Sequence, residues 1–366
     1  MSEARKRILS MLDEKKISIE QADELLSALE ADEKAKSRIP DRGLGANLGE
    51  MFNEVHKQVG KAVKSLQPQS REIKNALKGL GEWVSGAVGK VVTEIKLSQN
   101  ELSDGVNIEC MLSAPEGFSH CEKIEICNVW GTITLRDADE FNLKIKGKIS
   151  KSALGEENSL DWLKKNLFTF KDTRLIMGFE RSTSAKANVD LEIFLPTTVP
   201  LYIRSLAAQV SINGPFKIIS IESTNGNVGI KHASLENTAI ETVSADVEID
   251  GSNVAFTAKT TSGDFMLKDC KISRLQIQSI SGDIEISSPK LVEEALLELS
   301  TTSGDVTISK PEGLIAKLEG RTRSGTMQAR WPGRSQPFDR NGIRLENDGP
   351  GAKIKVESIS GDLTFE

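Results

Sequence analysis

Five aspartates recur at one position of a repeated turn: Asp246, Asp264, Asp283, Asp305 and Asp362. Carboxylates clustered on a repetitive β scaffold could serve as general acid and base in polysaccharide cleavage. A residue that a turn needs recurs with the turn, whereas an active site occurs once. The repetition therefore favours a structural role. A calcium role is also disfavoured, because the Gly-Gly-x-Gly-x-Asp nonapeptide is absent. His56, His120 and His232 lie far apart and lack metal-ligand spacing. Cys110, Cys121, Cys127 and Cys270 match no zinc or redox pattern and are expected to be reduced thiols in or near strands. No Gly-x-Ser-x-Gly, Walker or dinucleotide fingerprint occurs. The expectation is a protein without catalytic residues, metal or cofactor, and not an enzyme.

The turns belong to eight-residue units such as Thr260-Thr-Ser-Gly-Asp-Phe-Met-Leu and Ser279-Ile-Ser-Gly-Asp-Ile-Glu-Ile. One column of these units reads Gly131, Ala208, Gly226, Ala245, Gly263, Gly282, Gly304, Gly325 and Gly361. Its central members fall at nearly even intervals, and such a period means a stacked solenoid. Glycine in that column is expected to supply a positive φ for a tight corner. The preceding Ser or Asn and the following Asp or Asn are expected to bond back to the turn backbone. The structural turn residues are thus Gly226, Gly263, Gly282, Gly304, Gly325 and Gly361, with Asp264, Asp283, Asp305 and Asp362.

Two and four residues after the column, nearly every unit is apolar, as in Ile284/Ile286, Val306/Ile308 and Leu363/Phe365. Apolar pairs also precede it, as in Leu275/Ile277, Leu297/Leu299 and Ile354/Val356. This alternation predicts a strand, a corner, a second strand and a return loop in each coil. The fold class is mainly β, a single-chain parallel β-solenoid over residues 93–366 with an N-terminal α-helical region. Nine stacked coils would merge their inward positions into one core. The segment from Gly155 to Arg181, with Asp161-Trp162-Leu163, interrupts the first two coils and could cover a face or an end. No helix follows Phe365, so no C-terminal cap helix is expected.

Residues 1–34 are expected to form a short two-helix domain. Ile8, Leu9, Met11 and Leu12 share one helix face. Ser18 and Gln21 form a capping box before the stripe Ala22, Leu25, Leu26 and Leu29. So small a unit needs a partner or another copy of itself. Residues 35–46 are a linker. Residues 47–92 form an amphipathic helical segment carrying Leu48, Phe52, Val55, Val59, Leu77, Leu80, Trp83 and Val84. Those eight residues are candidates for membrane or partner contact. They could equally pack against one another as a helical hairpin.

Residues 93–366 resemble the Toastrack family of adhesin-like bacterial and archaeal proteins. The resemblance rests on the Ser-Gly-Asp-apolar-x-apolar units and on Val189-Asp-Leu-Glu-Ile-Phe-Leu-Pro196. The Ile8–Leu29 segment is similar to the helical domain that opens Lia-type envelope-stress proteins. The resemblance implies a β-solenoid linked to cell-envelope stress, without enzymatic activity.

A net charge of −6 disfavours non-specific nucleic-acid binding. One Tyr and 12 Phe leave little material for base stacking. The N-terminus has no apolar stretch of a secretory signal, and no run is long enough to span a membrane. Cytoplasmic residence is expected, with peripheral contact at the inner face of the membrane. The functional expectation is a scaffold or binding protein tied to envelope stress. Its partners would be another protein, a membrane surface or its own N-terminal helices. The alternative is a surface adhesin or carbohydrate-binding β-helix protein.

Overall fold

The computed structural model describes residues 105–179, 187–312, 315–331, 335–339, 342–346 and 351–366. The expected helices of residues 1–34 and 47–92 lie outside the described residues. Everything described belongs to one compact unit, Leu97–Glu366.

The unit is mainly β, with a solenoid-like pattern of repeated strand pairing. In chain order it opens with β1 (Val106–Ser113), β2 (Lys123–Asn128), β3 (Thr132–Asp137) and β4 (Asn142–Ile149). Helices α1 (Lys151–Leu154) and α2 (Ser159–Leu167) precede β5 (Phe168–Lys171), β6 (Arg174–Gly178) and β7 (Ala187–Leu195). Six regular coils follow, each a strand, a corner and a second strand. They are β8 (Leu201–Ser205) with β9 (Gln209–Asn213), and β10 (Ile218–Ser223) with β11 (Val228–Lys231). Next are β12 (Ser234–Thr242) with β13 (Val247–Asp250), and β14 (Asn253–Lys259) with β15 (Phe265–Lys268). The last two are β16 (Lys271–Gln278) with β17 (Ile284–Ser287), and β18 (Lys290–Thr301) with β19 (Val306–Ile308). The chain ends in β20 (Ile315–Thr322), β21 (Met327–Ala329), β22 (Ser335–Asp339), β23 (Gly342–Glu346), β24 (Ala352–Ser358) and β25 (Leu363–Phe365).

Strands before the corners build a 13-stranded sheet, and strands after them build a 12-stranded sheet. Pairing between coils is parallel and keeps the repeat in register. Val228 faces Val210 and Val247, and Phe265 faces Val247 and Ile284. The alternation of the sequence therefore places one apolar side chain per coil in each inward row. These rows merge into a single core running through the stack.

The insertion after β4 covers an end of the stack. Asn158 caps α2 by accepting the Asp161 N–H at 2.9 Å. Trp162, Leu163 and Leu167 are buried, and the Trp162 ring stacks on Phe179 with centroids 5.8 Å apart. α2 packs on β1, β5 and β6. β1 and β5 are the outermost strands of the two sheets at this end. Both join their neighbours antiparallel, which turns the sheet edges away from the parallel repeat.

At the other end the coils do not stack in chain order. β24 lies between β18 and β20, and β25 lies between β19 and β21. The Gly361 coil is therefore inserted between the Gly304 and Gly325 coils. The Gly325 coil is outermost, and the antiparallel pair β23 and β22 extends the 13-stranded sheet beyond it. Phe365 is thus an interior residue, fully buried, and not the last layer of the stack. Gly320 makes room for the Phe365 ring. It occupies an inward position that carries Val356 in the adjacent coil and Leu299 in the one beyond. A Cβ there would stand 3.1 Å from Phe365 Cε2. The missing side chain leaves room for the large ring of the adjacent coil.

Candidate functional site

The corner residues form two ladders that run between coils, and a third column bonds within its own corner. The first is the aspartate column. The Asp264 N–H donates to Asp246 Oδ1 at 3.1 Å, and the Asp283 N–H to Asp264 Oδ1 at 2.8 Å. The series continues from Asp305 N–H to Asp283 at 2.7 Å and from Asp362 N–H to Asp305 at 2.7 Å. The Thr326 N–H closes it on Asp362 Oδ1 at 2.8 Å. Each carboxylate holds the backbone of the next coil rather than its own turn. Such charge-assisted bonds are stronger than neutral ones.

The second ladder is the serine that precedes the glycine. Ser281 Oγ donates to Thr261 O at 3.2 Å, Ser303 Oγ to Ile280 O at 3.2 Å and Ser360 Oγ to Thr302 O at 3.2 Å. These bonds also cross to the neighbouring coil. The local bond expected of this serine is made instead by a buried hydroxyl three residues before the glycine. Thr260, Ser279, Thr301, Thr322 and Ser358 accept the N–H of Gly263, Gly282, Gly304, Gly325 and Gly361 at 2.8–3.1 Å.

The glycine column needs a different explanation from the expected one. Gly131, the first of the column, has the expected left-handed φ of 84°, but none of Gly226, Gly263, Gly282, Gly304, Gly325 and Gly361 does. A Cβ on any of them would fall 1.9–2.0 Å from a carbonyl oxygen of the adjacent coil. Glycine is required because two backbones approach closely. The left-handed position of the coil lies six residues further on. It is occupied by His232 (φ 58°), Gly251 (φ 57°), Asp269 (φ 51°) and Ser288 (φ 50°).

The hydroxyl column reverses polarity along the stack. Ser223 Oγ donates to Gly226 O at 2.6 Å, whereas Thr260 Oγ1 accepts from Gly263 N–H at 3.1 Å. Thr242 sits between these two coils, fully buried, and its Oγ1 has no hydrogen-bond partner. An orphaned buried hydroxyl is costly, and replacing it by a methyl of the same shape is nearly neutral or favourable. Thr242→Val is therefore expected to hold or raise the melting temperature. Thr260→Val is expected to lose about 1 kcal/mol. Thermal denaturation of the two variants side by side would show it, and equal losses would contradict it.

A second polar cluster lies on the outer face of the 13-stranded sheet. The carboxylate of Glu125 is buried and meets the guanidinium groups of Arg174 and Arg204, the latter at 3.2 Å. Arg204 reaches on to Glu222 at 3.2 Å. The two guanidinium groups balance the charge of Glu125 and tie three strands together. Nothing in the period or motifs singles out Glu125, since a polar outward residue is ordinary in a strand.

Among the described residues the thiols and histidines stand apart from these clusters. Burial pushes the thiols of Cys110, Cys121 and Cys270 above their ordinary value, which makes them poorer thiolates. His120 accompanies Ser119 Oγ at 3.1 Å on an exposed turn. His232 lies at the second corner of its coil. Among the described residues no group of His, Cys, Asp and Glu could hold a metal ion. Among them, too, no helix is long and apolar enough to cross a membrane. The contact candidates Leu48, Phe52, Val55, Val59, Leu77, Leu80, Trp83 and Val84 lie outside the described residues.

A family model, Toastrack DUF4097, matches residues 121–366. No curated protein matches the chain. A solved chain from Clostridium sporogenes, named provisionally as a cell adhesion protein, is similar over 71% of this chain and 99% of its own, at 10% identity and a TM-score of 0.21.

Proposed function

This chain belongs to the Toastrack DUF4097 family, and we propose that it works as a non-enzymatic scaffold linked to cell-envelope stress. In this reading the solenoid of residues 93–366 presents a long rigid surface. The N-terminal helices recruit a protein partner, another copy or the inner face of the membrane. The observation that supports it is the use of the repeated carboxylates. Each aspartate accepts a backbone N–H of the next coil. The side chains best suited to chemistry are thereby engaged in holding coils together.

Two measurements test the reading. The full-length protein is expected to co-sediment with anionic vesicles at low salt and to be released as salt rises, because part of the attraction is electrostatic. A protein that never co-sediments, and retrieves no partner from native membranes, is not this scaffold. Recovery in a surface or secreted fraction would favour the adhesin alternative. No saccharide hydrolysis is expected. Cleavage that disappears in Asp283→Asn, with the fold intact by circular dichroism, would make the aspartate corner an active site.

A further inference from the structure

The Gly361 coil fills a slot between two coils that are consecutive in the chain. On one side Val306 N–H donates to Asp362 O at 2.9 Å and Glu366 N–H to Ile308 O at 3.1 Å. On the other side Leu363 N–H donates to Thr326 O at 2.9 Å and Arg330 N–H to Phe365 O at 2.7 Å. Trp331 Nε1 donates to Glu366 O at 3.0 Å, and its ring meets Phe365 edge-on with centroids 5.4 Å apart. None of these contacts requires the insert to come from the chain that forms the slot.

We propose that residues 351–366 are exchanged between two copies of this chain, each insert filling the slot of the other to give an intertwined dimer. The contacts inside the slot are the same in the closed monomer and the exchanged dimer. The balance between them is therefore set by concentration rather than by new interactions. The occupant is a second copy and not any free strand, because the slot is shaped for this insert. Gly320 leaves a notch that Phe365 fills, and Trp331 closes over the ring. At the corner, Asp305 and Thr326 engage Asp362 from either side. An unrelated strand could pair its backbone there but would leave the notch empty.

The experiment uses the full-length chain carrying Thr307→Cys and Thr364→Cys. These partners stand opposite each other in register on the 12-stranded sheet. A short bis-maleimide joins them across adjacent strands, which lie about 4.8 Å apart. Samples are held at high and low protein concentration before cross-linking, with each single variant as a control for the native thiols. In an exchanged dimer the link joins two chains, so a covalent dimer is expected on a denaturing gel and should increase with concentration. A dimer formed through the N-terminal helices alone would give only intrachain links, so failure of that reading is distinguishable. The unsubstituted chain supplies a second measurement. Isotopically heavy and light copies, mixed and held at high concentration, should yield mixed dimers by native mass spectrometry. Links confined to single chains at every concentration, in protein folded by circular dichroism, would overturn the proposal. So would an absence of mixed dimers.

Discussion

Gly282→Ala is expected to lower the first unfolding transition by on the order of 10 °C, corresponding to about 3 kcal/mol or more. The added Cβ would stand 2.0 Å from Gly263 O and 2.7 Å from Gly263 C. Both atoms belong to the backbone of a corner pinned by Thr260 Oγ1 between two strands, so neither can swing aside as a side chain would. Relief requires the two coils to part, and parting weakens the inter-coil bonds from Ser281 Oγ and from Asp283 N–H. A left-handed corner would behave differently, because alanine at positive φ costs only about 1–2 kcal/mol. Alanine therefore separates the two explanations, and Gly282→Val should add little to its loss. Asp283→Asn keeps an acceptor for the Asp305 N–H and should stay within roughly 1 kcal/mol of the parent. Ala208 and Ala245 stand in the same column, so tolerance varies between coils. The 2.0 Å approach makes Gly282 one of the intolerant positions. Thermal melts of the three variants decide the matter. An alanine variant that melts within about 1 kcal/mol of the parent would remove the close-approach argument.

The repeat made the coils legible before any geometry. Alternation around Ile284/Ile286 and Leu275/Ile277 assigned both strands and their inward faces, because a strand with one buried face has a period of two. The same pattern is silent on whether a polar side chain bonds its own turn or the next coil. Ser281 and Asp283 look local in sequence, yet their partners lie about twenty residues away. A glycine recurring at a corner suggests positive φ, and only geometry reveals a carbonyl 2.0 Å from the missing Cβ. The true left-handed column escaped notice because His232, Gly251, Asp269 and Ser288 share no residue type. Glu125 escaped because its burial depends on Arg174 and Arg204 from two other strands. Coil order was hidden for a related reason. Every unit carries the same inward pattern, so the repeat does not state which coil neighbours which.

Gly320 and Phe365 supply the other large effect. Phe365→Ala is expected to cost about 3–5 kcal/mol, the usual range for removing a fully buried aromatic ring. Phe365 is 0% exposed and touches both the Gly320 notch and the Trp331 ring. The loss should concentrate at one end of the stack. The Gly325 coil bonds the rest of the solenoid through β24 and β25, so residues 315–331 should lose hydrogen-exchange protection before the Gly226 or Gly263 coils do. Gly320→Val alone would also destabilise, since a Cβ must displace a ring carbon 3.1 Å away. Combined with Phe365→Ala, the same valine enters the space the ring vacated. The double variant should therefore be more stable than the sum of the two single losses by about 1 kcal/mol or more. Strict additivity would mean that Gly320 and Phe365 do not share a space in solution.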